Sequence, residues 1–134
     1  MTEALKNKIS ILSQLANVDG DFDIRELTFI YGICIRNKIE VDSIAPIITQ
    51  PEPVISLERL THQEKVSYLT DMFLLMMIDN KVLPKEIEFC LGIGKRLGFD
   101  LEGIRSFIVE ISGQTDMNEE YIKERVELLP RIDQ

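Results

Sequence analysis

The sequence has no tryptophan, one histidine and two cysteines, and aromatic residues make up only 7% of it. The lone histidine, His62, follows Thr61 in the first turn of a helix, where a surface position is the default, and no nucleophile at a recognisable motif accompanies it. The segment "GIGKRLGF" falls inside and at the end of a helical pattern and follows no strand, so it is not a phosphate-binding loop. Catalysis lacks its usual players, and the chain reads as a non-enzyme. Cys34 and Cys90 sit in apolar helical patterns without a close Cys or His partner, which reads as buried reduced thiols. Positive charge is also short. Fifteen Lys and Arg face 23 Asp and Glu, for a net charge of −8, and the basic residues are scattered, which excludes a nucleic-acid partner. The longest apolar run, Met72 to Ile78, is far short of the ~20 residues that span a bilayer. With no cationic leader followed by an apolar run in "MTEALKNKIS", a cytoplasmic chain without direct membrane insertion is expected.

What is present is enough for a core. The 134 residues are 45% hydrophobic and 28% charged. One domain of this size, here taken as residues 1–134, buries roughly two-thirds of the surface its unfolded chain exposes. Leu5, Ile9, Leu12, Leu15, Ala16 and Val18 recur at three- and four-residue spacings and predict a helix over 4–18. Leu27, Ile30, Tyr31, Cys34 and Ile35 predict a second over about 24–37. Asp42 or Ser43 can cap a short helix that ends before Pro51. Thr61 and Glu64 form a capping box opening a helix to about Ile78, and its run "MFLLMMI", with Met72, Met76 and Met77, marks a core helix covered nearly all round. Pro84 suits a first helical turn and Gly98 the stop of that helix. Asp100 caps a helix to about Ser112, and Asn118 caps a last one with Tyr121, Ile122, Val126 and Leu129 inward. Strand-like alternation is absent, so the class is all-α, a bundle of about seven helices.

An internal similarity appears when the sequence is shifted by 60. "LANVDGDFDIRELTFIYGI" (15–33) then lies over "LMMIDNKVLPKEIEFCLGI" (75–93), matching Leu15/Leu75, Asp19/Asp79, Glu26/Glu86, Phe29/Phe89, Gly32/Gly92 and Ile33/Ile93. Each copy reads as a helix, an acidic turn and a second helix, giving pseudo-repeated hairpins near 5–37 and 62–98. Gly32 and Gly92 read as points of close helix packing.

"LANVDGDFDIREL" and "MMIDNKVLPKEIEFCLGIGKRLGF" resemble the two signature hairpins of the TerB-like family, small all-helical domains associated with bacterial tellurite resistance. The resemblance spans about residues 5–112. It implies a cytoplasmic stress-response domain whose acidic surface binds a divalent cation and acts beside membrane-associated and other resistance proteins. The sequence departs from the pattern at Asn80, where a second Asp-Gly would stand.

The acidic corners admit two readings. Asp19, Asp21 and Asp23 occupy positions one, three and five of an EF-hand loop, but Ile24 and Ile30 stand where that loop needs Gly and a bidentate Glu. As helix corners, Asp23 caps with Glu26 three residues on, Asp19 bonds its own turn, and Gly20 supplies a left-handed residue. In the second copy Leu83 replaces Asp23 and cannot cap, yet Asp79 and Glu86 persist. The other reading gathers Asp19, Asp21, Asp23, Glu26, Asp79 and Glu86 into an oxygen-ligand site for Ca²⁺, Mg²⁺ or Mn²⁺. A metal-free interaction scaffold, its acidic face steering basic partners, is the alternative.

Overall fold

Local capping chemistry sets where the helices begin. The computed structural model describes residues 1–18, 20, 22–54, 57–78, 82–114 and 118–132. Seven helices follow one another: α1 (Glu3–Asn17), α2 (Ile24–Arg36), α3 (Val41–Thr49), α4 (His62–Met76), α5 (Pro84–Arg96), α6 (Leu101–Ile111) and α7 (Glu119–Glu127). Short polar side chains satisfy amides that have no intrahelical partner. The Thr2 hydroxyl accepts from Leu5 N–H at 3.1 Å, Asp100 from Gly103 at 3.1 Å and Asn118 from Tyr121 at 2.8 Å. Thr61 and Glu64 form the reciprocal box, at 3.1 and 2.8 Å. The all-α class stands as expected, and the only extended pairing among the described residues is one bridge between Phe99 and Arg131.

Three local expectations are corrected. Neither Asp42 nor Ser43 caps α3: Glu40 precedes it without a side-chain cap bond, and Asp42 lies in the first turn, where its charge still suits the dipole. Tyr121 is exposed, its hydroxyl accepting from Arg125, while Ile122 and Val126 alone of the helical residues of α7 are fully inward. Gly32 and Gly92 make no close packing, since a Cβ there meets only Arg36 Nη1 at 3.7 Å or nothing within 4 Å. The close approach occurs at Gly94, where a Cβ would lie 2.2 Å from Ile104 Cδ1.

The core sits between α1 and α4. Helix α1 packs on α2, α3, α4 and α5, and α4 also packs on α5 and α7. Helix α4 buries residues on every side, including Val66, Leu69, Met72, Phe73, Leu75 and Met76, so it is the all-round core helix its sequence predicts. Phe73 meets Phe107 of α6 edge to face at 5.1 Å, a geometry favoured by the ring quadrupoles. Cys34 and Cys90 are buried free thiols. No helix among the described residues is long and apolar enough to cross a membrane.

The second helices of the two similar segments share a register. Helix α2 buries Glu26, Ile30, Ile33 and Cys34, and α5 buries Glu86, Cys90, Ile93 and Gly94, each sixty positions on. Their ends match as well. Lys38 (φ 59°) and Gly98 (φ 88°) both take the left-handed conformation just past the helix. The following amides, Ile39 and Phe99, return to Cys34 and Gly94 carbonyls at 3.0 Å, closing the same Schellman turn. Beyond α7 the chain is pinned to that second turn: Ile132 N–H donates to the Gly98 carbonyl at 2.9 Å, and the Arg131 guanidinium lies 4.5 Å from the Phe99 ring centre.

Candidate functional site

The acidic corners lead into α2 and α5. Asp23 and Leu83 both adopt extended backbone immediately before their helices. In the first corner the reciprocal box is formed, with Glu26 Oε1 accepting from Asp23 N–H at 3.2 Å. In the second, the Leu83 side chain has no polar atom to offer, yet Glu86 Oε1 accepts from Leu83 N–H at 2.9 Å. Both glutamates are only 5% exposed. Burying a carboxylate is costly unless it is bonded, and a helix N-terminus supplies an amide and a favourable dipole end. Both carry further interactions besides that amide bond. The second corner thus has the buried carboxylate without a capping side chain.

Asp23 differs from the glutamates. Its Oδ1 accepts from the Arg25 amide at 2.7 Å and from Arg25 Nε at 3.1 Å, and its Oδ2 lies 3.0 Å from Arg25 Nη2. The Arg25 side chain, and then its amide, holds the Asp23 carboxyl below its ordinary range. The carboxylate thus holds Arg25 in addition to closing the box with Glu26. Asp19, Asp21 and Asp79 lie outside the described residues. Glu26 and Glu86 fit a hard cation by chemistry, being buried oxygen donors, whereas Asp23 would first have to leave Arg25. Among the described residues no three His, Cys, Asp or Glu side chains are placed to hold a metal ion, so a cation site needs Asp19, Asp21 or Asp79 to complete it. His62 is exposed, as its sequence position predicts, with Nδ1 3.3 Å from Arg131 Nη1.

A largely buried polar cluster where α1 meets α4 escapes the sequence reading. Lys8 Nζ of α1 donates to Asp71 Oδ2 at 2.7 Å and to Ser67 Oγ at 2.5 Å, both on α4. The paired side chains are 13% and 10% exposed. Burial pushes the Asp71 carboxyl above its ordinary range; Lys8 pulls the other way without cancelling it, and the charge of Glu119 adds to the rise. The signal was available: Asp71 is a lone carboxylate in an otherwise apolar stretch, and a charge buried there needs a partner. A cleft of about 260 Å³ opens beside it between α4 and α7. A larger cleft of about 800 Å³, between α1, α3 and the segment that follows it, includes none of the predicted site residues.

No protein-family model, curated protein or solved structure matches this chain.

Proposed function

We propose that the chain is a non-enzymatic, TerB-like acidic binding module of the cytoplasm, whose two corners together hold one divalent cation, Ca²⁺, Mg²⁺ or Mn²⁺. In this reading the acidic surface contacts other stress-response or membrane-associated proteins. The observation that carries it is the repeated buried carboxylate. Glu26 and Glu86 are equally buried and fold back alike on their helix starts, although only one of those starts has a capping side chain. A cap alone accounts for Glu26; it does not account for retaining Glu86 behind Leu83. A carboxylate can accept from an amide and coordinate a hard cation at the same time, and Asp19 and Asp79 precede the two glutamates at the same spacing.

A specific observation favours the second reading, a metal-free interaction scaffold. Asp23 is occupied by Arg25 and each described glutamate already accepts a backbone hydrogen bond, so the described parts of the corners are satisfied by the chain itself. Calorimetric titration of each cation into chelator-treated protein separates the two. Saturable binding that is lost in a folded Asp19→Asn, Asp79→Asn double variant is expected from the cation module. Absence of heat, with no rise in melting temperature at millimolar ion, refutes it in favour of the scaffold.

A further inference from the structure

Helix α2 packs on α1 and α3 and buries Glu26, Ile30, Ile33 and Cys34. At about 100° per residue, the side of the helix away from these four carries Ile24, Thr28, Tyr31 and Ile35. Ile24 is 74% exposed and Ile35 64%, Thr28 is exposed, and Tyr31 is half-buried and packed on the core. The Thr28 hydroxyl already donates to the Ile24 carbonyl at 2.8 Å, so covering it strands no polar group. Intervals of four, three and four residues are those of successive d and a positions of a heptad, which draw a single seam along a helix. The hairpin does not require such a seam on its solvent side. Helix α5, in the same register, has Pro84, Glu88, Leu91 and Lys95 at the matching positions, and Glu88 and Lys95 are exposed.

We propose that this face is covered by the same face of a second copy of the chain, the two α2 helices running antiparallel across a twofold axis. Such an isologous contact requires a seam that complements itself. With the axis level with the midpoint of Phe29 and Ile30, Ile24 lies opposite the partner's Ile35 and Thr28 opposite the partner's Tyr31, so seam residues meet only seam residues and the small side chain faces the large one. A parallel pairing would set Tyr31 against its own copy, and only the antiparallel one opposes the two helix dipoles. Charge favours the same place. Each copy has a net charge of −8, yet Glu26 is the only acidic residue from Ile24 to Asn37 and is buried, and Arg25 beside the seam is paired with Asp23. Two acidic chains therefore meet here with little repulsion at the contact. One face of a thirteen-residue helix, about 20 Å long, covers less than the ~1,200–2,000 Å² of a standard interface, so the dimer is weak, with a dissociation constant on the order of tens of micromolar. The pairing needs no cation at the corners and stands whether or not they bind one.

The test is sedimentation equilibrium of the full chain, with chelator present, from micromolar to millimolar concentration. The mass should rise toward twice that of the chain, and added salt should tighten the association by screening the net charge of each copy. Ile24→Glu and Ile35→Lys each put a charge into the seam and should each weaken association about tenfold or more. Both substitutions suit the helix end at which they stand, so thermal melts should show folded monomers. An equimolar mixture of the two variants leaves one Ile24 against an Ile35 and sets the introduced Glu against the introduced Lys, so it should associate more tightly than either variant alone. A chain that stays monomeric at every concentration would overturn the proposal and leave the face to a partner of different sequence. A dimer that neither variant weakens, or a mixture no tighter than its components, would overturn it as well, by placing the contact elsewhere or in another register.

Discussion

Replacing Lys8 with methionine tests the electrostatics of the core most directly. The side chain keeps its length and apolar stem, so packing between α1 and α4 is nearly preserved while the charge is removed. Asp71 would then lose its 2.7 Å partner while remaining buried. Breaking a buried ion pair from one side costs about 3–5 kcal/mol, a large share of the ~5–15 kcal/mol that holds a domain folded. Urea unfolding at neutral pH should show a loss of that size in Lys8→Met. A Lys8→Met, Asp71→Leu double variant should return to within about 1 kcal/mol of the parent, because no uncompensated charge remains. The sign with pH follows from Asp71, whose native carboxyl is held above its ordinary range, chiefly by burial. The native state therefore takes up a proton more readily than the unfolded chain. Its contribution to stability is fully present below the unfolded value and is lost as pH rises through the native one. The deficit of Lys8→Met should accordingly shrink between neutral pH and roughly pH 4, near the ordinary carboxyl range. A loss below about 1 kcal/mol, or one that is the same at both pH values, would refute the argument that an under-compensated charge lies in this core.

The two Schellman turns make a matched pair of predictions: Lys38→Gly relieves a left-handed lysine and should stabilise by about 0.5–1 kcal/mol, whereas Gly98→Ala should cost about 1 kcal/mol, both read from thermal melts. Gly94→Ala places a methyl against fully buried Ile104 and should destabilise by about 1–3 kcal/mol, while Gly92→Ala meets nothing and should raise helix stability by up to about 1 kcal/mol; equal effects at the two sites would contradict the packing described. The Cys90 thiol is pushed up to about 12 by burial, so it should resist an aromatic disulfide reagent at mildly alkaline pH until the protein unfolds, and rapid labelling of the native protein would show that the residue is accessible.

The helices were legible because their signals are short-range. Thr61 with Glu64, Asp23 with Glu26, Pro84 and Gly98 act within one helical turn of the residues they organise, and the structure places each where the sequence predicts. Where a local cue misled, a distant or neighbouring contact prevailed. Tyr121 fits an inward periodicity, but Ile122 and Val126 fill the space against α4 and leave the phenol to pair with Arg125. Gly32 and Gly92 drew attention by matching in the repeat, whereas close packing fell on Gly94 because α6 crosses there and brings Ile104 with it.

The sequence by itself determined an all-helical chain, its helix boundaries to within a turn, the core character of α4 and the recurrence of a carboxylate at the start of α2 and α5. Tertiary structure alone decided that those two glutamates are buried, that Asp23 belongs to Arg25, and that Lys8 and Asp71 meet across 63 positions of sequence. Caps and periodicity are fixed by neighbours a few bonds away, whereas the burial of a charge and the identity of its partner depend on which faces of remote helices come together. That is why the fold could be read residue by residue and the polar cleft between α4 and α7 could not.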